Sequence, residues 1–423
     1  MTKNPPLHHI PKYFTITDKC LREAVSRFGT PLYLYDYSAI KSQWDLLFSI
    51  LPDRCKIYYS VKANPNIAIV NILHELGAAF EISSQGELSA VSRVNIPGSE
   101  IIFVGPGKSK VELEEAIKHR LSFVIAESLR EIQELNLMSK KYDCVTPIAL
   151  RINPGRGKGM ISMGGVTQFG LELSQISQIL EQKDQYKNLE FAGIHAYLGT
   201  GVLNWRTIVD HTQMILESIV EMKVKEKMDI RFVDLGGGFG IPYYERDEST
   251  DWNNLKYPLA RLVTEFFDLN PSIDHFGIES GRFLVGPSGV FLAEVLDVKD
   301  VAGTQYVILD GGTNVFVGDD RYSGARSVPF RVLGGEGDDV RLTTVCGPLC
   351  TSLDRLAADI LLPRVNIGDI LVFYQAGAYG LTANRGLFLS HGYPAEALFR
   401  DDQLLLIRKR QSVADLLRGQ RIG

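Results

Sequence analysis

The chain has 423 residues, 45% hydrophobic and 22% charged, with a formal net charge of −5. This is ordinary for a folded globular protein, long enough for one large barrel plus a smaller domain, and it carries no basic footprint for nucleic acid or an anionic membrane surface. The opening MTKNPPLHHIPKYF lacks the apolar run of a signal peptide, and no window approaches the ~18 uninterrupted apolar residues of a membrane span.

The five cysteines, Cys20, Cys55, Cys144, Cys346 and Cys350, are odd in number and scattered, which fits a reducing, cytoplasmic location. Cys346 and Cys350 stand four apart with no second Cys/His pair at ligand spacing, so no metal site is expected.

Along the chain, short β-rich runs alternate with helical ones. After PLYLY (31–35) come IYYSVK (57–62), AAFEI (78–82), IIFVG (101–105), SFVIA (122–126), PIALRI (147–152), FAGIHAYL (191–198), RFVDLG (231–236) and HFGIES (275–280). Between the last eight lie stretches such as VELEEAIKHR, whose apolar residues recur at helical spacing. Eight strands alternating with helices predict an α/β fold, a (β/α)₈ TIM-type barrel. A doubly wound sheet competes, because periodicity does not say whether the sheet closes. After residue 285 strands follow one another across turns: VFLAEVLDV, QYVILDGG, VPFRVLG, VRLTTVCGP and ILVFYQAG. The expected division is a barrel over 36–285 and a second, mostly β domain (sandwich- or barrel-like) from 1–35 plus 286–423.

In such barrels chemistry gathers where strands end. Lys62 closes the first predicted strand, on the same face as Tyr58 and Ser60 by alternation. It reads either as a solvated end lysine or as a desolvated amine with a lowered pKa, of the kind that forms a Schiff base. Strand seven runs into DLGGGFG (234–240), whose glycines let backbone N–H groups converge on an anion. Strand eight ends in IESGR, which brings Glu279 and Arg282 to the usual phosphate position of a barrel. Glycines and an arginine for a phosphate, with a carboxylate for a ring nitrogen, suit pyridoxal 5′-phosphate. Two other glycine-rich runs are decoys. GPGKS (105–109) has Ile102 where a P-loop needs glycine, and GRGKGMISMGG (155–165) lacks the strand–glycine–helix context for a dinucleotide and reads as a loop over the barrel mouth.

Together these residues resemble the fold-type III decarboxylases that use pyridoxal 5′-phosphate on diaminopimelate, ornithine and arginine. YYSVKANPN resembles their lysine motif, DLGGGFG their phosphate loop, IESGR their Glu-x-Gly-Arg motif, GPLCTSLD (347–354) their Cys-Glu-Ser-x-Asp segment and GAYG (377–380) their tyrosine turn. The resemblance spans nearly the whole chain. It implies that Lys62 would bond to the cofactor and Glu279 would pair with its ring nitrogen. Gly236, Gly237, Gly238, Gly281, Arg282 and Tyr379 would hold it. Cys350, reaching the neighbouring subunit's site in a homodimer, would protonate carbon. Arg282, Thr351, Asp354 and Tyr379 would meet the substrate.

Departures bear on substrate. Aligned on Gly199-Thr200, GIHAYLGTG puts Tyr197, not His195, where the family has a ring-stacking histidine. His195, expected on the same strand face as Tyr197, reads either as a core histidine or as a functional one. Thr351 stands where diaminopimelate decarboxylases have the glutamate that meets a distal ammonium. Cys-Thr, MGG before QFG (163–170) and HAYLGTG resemble the branch containing the butirosin-pathway glutamyl-carrier-protein decarboxylase. A tethered or derivatised amino acid is therefore expected as substrate, in a specialised pathway. Free diaminopimelate in lysine biosynthesis is the alternative. A racemase would place arginine at the ring nitrogen, and a non-catalytic regulator would be expected to lose Lys62, Glu279 or Cys350.

Overall fold

Eight parallel strands close on themselves in the computed structural model, which describes residues 14–153, 161–162, 165, 167–226, 229–244, 247–317, 328–335 and 339–423. They are β1 (Cys55–Ser60), β2 (Ala79–Ile82), β3 (Ile101–Phe103), β4 (Phe123–Ala126), β5 (Thr146–Arg151), β6 (Leu189–His195), β7 (Phe232–Asp234) and β8 (His275–Ser280). Each pairs with its neighbours in sequence, and β8 pairs with β1. Closure excludes the doubly wound alternative.

The interior is filled by Tyr58, Ala79, Ile102, Val104, Phe123, Ile125, Ala149, Ala192 and Phe232. Large rings fit because small residues face them. Phe232 stacks on Phe123 at 4.5 Å, and a Cβ on Gly193 would lie 3.0 Å from the Phe232 ring. Alternation then dictates what stands one pleat higher: Glu81 above Ala79, Arg151 above Ala149 and Asp234 above Phe232. The helices between strands begin on side-chain caps, including Asn66, Ser84, Ser109, Ser128 and Asp251, each accepting a backbone N–H of the first turn.

Residues 44–241 and 249–283 form this barrel unit, and the remaining described residues form a second unit. Its nine-stranded sheet contains Leu32–Asp36, which pairs antiparallel with Gly289–Val301 and parallel with Ala395–Arg400. The sheet also includes Arg355–Pro363, Ala395–Arg400 and Gln403–Arg408, three strands absent from the sequence reading. Among the described residues no helix is long and apolar enough to cross a membrane.

Several predicted strands stop early. β1 ends at Ser60, and Val61–Ala63 form a single 3₁₀ turn, so Lys62 sits beyond the strand and simple alternation does not aim it. β6 ends at His195, so His195 and Tyr197 do not share a strand face. Most residues of the loop at 155–165 lie outside the described residues.

The turn after β7 rests on its neighbours' backbones. A Cβ on Gly237 would lie 1.7 Å from the Glu279 carbonyl oxygen, whereas one on Gly107 would meet nothing within 4 Å. Gly237→Ala is expected to cost about 3 kcal/mol or more through forced backbone movement, with Gly107→Ala near neutral. Urea unfolding of the two variants checks this, and equal midpoints would refute it.

Candidate active site

The C-terminal mouth of the barrel gathers charge. Lys62 donates Nζ–H to Oε1 of Glu81 at 2.6 Å. The Glu81 side chain is fully buried while that of Lys62 is 39% exposed, so the amine reaches solvent and its counter-charge does not. The 3₁₀ turn that carries Lys62 is seated against Gly281, where a Cβ would lie 2.8 Å from Ala63 Cβ and 3.1 Å from Ser60 Cβ. Glycine at 281 therefore sets the Lys62 turn. The Lys62 ammonium lies 6.0 Å from the centroid of the half-buried Tyr197 ring.

On β6, β7 and β8 lie three enclosed groups, His195, Asp234 and Glu279, each offering one ligand atom within 4.8 Å of the others. His195 Nε2 is 3.1 Å from Glu279 Oε1. Asp234 Oδ1 accepts the Gly236 N–H at 2.8 Å. Burial holds the His195 imidazole well below its usual pKa, and Arg151 adds to that. Burial pushes Glu279 up against the opposing pull of Lys62 and Arg151. It pushes Asp234 up further, with the Glu279 charge reinforcing the shift.

The glycine turn continues the sheet's hydrogen bonding. Glu279 N–H donates to Gly236 O at 2.7 Å and Val202 N–H to Gly238 O at 2.8 Å. Gly236 and Gly238 adopt φ 63° and 89°, open to glycine at least cost. Arg282, buried, lies one residue beyond the end of β8, after Gly281.

Sequence reasoning passed over Glu81, Glu127, Arg151 and Asp234 as site groups. Glu127 Oε1 takes Arg151 Nη1–H at 2.9 Å and Gly105 N–H at 2.9 Å, and its Oε2 takes Gly170 N–H at 3.1 Å. The available signal was a charged residue closing, or just past, an apolar strand on the interior parity. Lys108 of GPGKS is buried, with Nζ–H groups donated to Gly105 O, Ile125 O and Glu131 Oε2. A lysine consumed in this way is structural, in keeping with the failed P-loop pattern.

Cys350, Thr351, Asp354 and Tyr379 belong to the second unit. Cys350 is exposed on a tight turn. Asp354 is buried, and its carboxylate takes Thr313 N–H (2.7 Å), Thr313 Oγ1–H (2.9 Å) and Leu349 N–H (2.8 Å). These bonds give Asp354 a structural role in its own turn. Thr351 Oγ1 accepts the Leu353 N–H at 3.3 Å. Tyr379 holds φ 63°, a costly conformation for a tyrosine that its turn enforces.

An amine and buried acids at the mouth of a barrel make a site able to bind a carbonyl compound through the lysine. The donor set fits pyridoxal 5′-phosphate: a lysine amine for its aldehyde, a buried carboxyl for its ring nitrogen, and glycine N–H groups with an arginine for its phosphate. Glu81 Oε2 and Asp234 Oδ2 are buried without a hydrogen-bond partner among the described residues, as polar atoms facing a ligand cavity would be.

Residues 37–286 match the model of the pyridoxal-dependent decarboxylase pyridoxal binding domain, and the chain belongs to that family. It is 32% identical over 404 residues to the L-glutamyl-[BtrI acyl-carrier protein] decarboxylase of Niallia circulans, covering 93% of this chain and 94% of that one. It is 29% identical to a Staphylococcus aureus 2-[(L-alanin-3-ylcarbamoyl)methyl]-2-hydroxybutanedioate decarboxylase, over 86% of this chain and 92% of that one. The structure of Methanocaldococcus jannaschii diaminopimelate decarboxylase in complex with L-lysine superposes with a TM-score of 0.88 at 26% identity, covering 98% of each chain. The protein is a carboxy-lyase whose cofactor is pyridoxal 5′-phosphate.

Asp354→Asn should replace an acceptor by a donor at one of the three bonds and cost about 1.5–3 kcal/mol. Amide exchange at Leu349 and Thr313 should accelerate while the barrel stays protected. Unchanged exchange at both would remove Asp354 from this role.

Proposed function

We propose that this enzyme removes the α-carboxyl group of a derivatised or carrier-tethered amino acid rather than of a free diamino acid. The supporting observation is Thr351, a neutral hydroxyl engaged in its own turn, where a distal ammonium would need a carboxylate. Two relatives act, by their names, on substrates of the derivatised kind.

When bound, the cofactor supplies an electron sink for the pair left on Cα as carbon dioxide departs. Lys62 would bond to it, with Glu81 accepting a hydrogen bond from the amine. Glu279 would hold the ring-nitrogen proton, and Tyr197 would pack on the ring. Backbone N–H groups of Gly237 and Gly238, with Arg282 and Tyr379, would hold the phosphate, while Gly236, its N–H donated to Asp234, shapes the turn. The enzyme works as a homodimer in which Cys350 of one subunit delivers a proton to Cα at the barrel of the other.

The test is carbon dioxide release across meso-diaminopimelate, ornithine, glutamate and carrier-bound glutamyl substrates. Wild type should prefer the last class, Thr351→Glu should shift relative preference toward diamino acids, and Lys62→Ala should lose both turnover and the visible absorbance of lysine-bound cofactor. Efficient turnover of free diaminopimelate with the tethered substrates ignored would return the protein to lysine biosynthesis.

Subunit sharing is tested by mixing. Inactive Lys62→Ala and inactive Cys350→Ala chains, exchanged in solution, should recover part of the activity because some mixed dimers regain one intact site. Demonstrated exchange without recovery would overturn the shared site.

A further inference from the structure

His195 ends β6 with its side chain fully enclosed, and two observations define its state. Nε2 lies 3.1 Å from Glu279 Oε1, while Nδ1 is buried without a hydrogen-bond partner among the described residues. A proton on Nδ1 would strand a buried donor and turn the Nε2 lone pair on a carboxylate oxygen. A proton on Nε2 satisfies Glu279 and leaves only an unused lone pair, the cheaper orphan. Protonation of both nitrogens is disfavoured by burial and by Arg151. The hydrogen-bond network thus assigns a neutral imidazole with its proton on Nε2.

Asp234 shares the cluster, its Oδ1 taken by Gly236 N–H and its Oδ2 unpartnered. Two ionised carboxylates at this spacing in a buried cluster repel each other, and each accepts one N–H, Asp234 from the Gly236 backbone and Glu279 from His195, so loss of the His195 donor would leave the backbone donor to draw the single charge to Asp234.

We propose that His195 is a positioning residue: by donating Nε2–H to Oε1 it fixes Glu279, rather than Asp234, as the carboxylate presented to the cofactor's ring nitrogen. This rests on the reading of Glu279 given above. His195 touches neither substrate nor reacting carbon and acts through Glu279.

The experiment titrates cofactor-free protein with pyridoxal 5′-phosphate and measures kcat and KM for wild type, His195→Phe, His195→Gln, Glu279→Gln and the His195→Phe/Glu279→Gln double variant. His195→Phe should weaken cofactor affinity and lower kcat about tenfold or more, with KM little changed, as expected for one lost hydrogen bond to a charged group. His195→Gln, whose amide nitrogen occupies the Nε2 position, should restore most of both. The double variant should be no worse than Glu279→Gln alone. Full additivity in that double variant, or unaltered affinity in His195→Phe, overturns the proposal. If Glu279→Gln itself leaves affinity and kcat intact, the reading of Glu279 fails and takes this proposal with it. Should His195→Phe not fold, His195→Asn replaces it, its amide too short to reach Oε1. Equal behaviour of Asn and Gln variants then overturns the proposal.

Discussion

Charge buried at the mouth of a parallel barrel is costly unless each group has a partner, and this requirement orders the site. Glu81 answers Lys62, Glu127 answers Arg151 and Glu131 answers Lys108, while the neutral His195 imidazole donates a hydrogen bond to Glu279. The mutual attraction of such pairs offsets desolvation only when hydrogen bonding is near complete, so each pair restricts its members to one geometry. Bonding is incomplete at Glu81 Oε2, Glu131 Oε1, His195 Nδ1 and Asp234 Oδ2, which are buried without a hydrogen-bond partner among the described residues.

The same pairs hold elements together. Glu127 binds the strand that ends in Arg151, the loop at Gly105 and the loop at Gly170 through two oxygens. A side chain that fixes three segments makes local movement expensive, and a rigid mouth holds the amine that follows β1 and the acid on the adjoining β8 in one geometry. In the barrel interior Phe123 stacks on Phe232. Burial of the cluster drives His195 down and Asp234 and Glu279 up in pKa.

The glycines show two physical uses of one residue type. Gly281 and Gly237 have no Cβ because a neighbour's backbone or side chain occupies that space. Gly236 and Gly238 add positive φ, which turns the chain after β7. In the second unit Asp354 does comparable work with a charge, holding the turn that exposes Cys350 to the loop at Thr313.

Sequence periodicity by itself determined the order of the eight strands and their helices, because burial on both faces forces continuous apolar runs of strand length. Motif order singled out Lys62, the glycine turn, Glu279 and Arg282 as candidates, since each lies within a few residues of a recognisable strand end. Only the tertiary structure decided that the sheet closes, because closure is a pairing between β8 and β1, 220 residues apart in their first positions (275 less 55), and local pattern carries no record of it. It also decided the strand ends, where a 3₁₀ turn aims Lys62 and a stop at His195 separates that residue from Tyr197. Asp354 became a turn-holding residue, and His195 a partner of Glu279, for the same reason. Each depends on a hydrogen bond spanning many residues, 41 between Thr313 and Asp354 and 84 between His195 and Glu279, a distance at which sequence spacing says nothing about proximity.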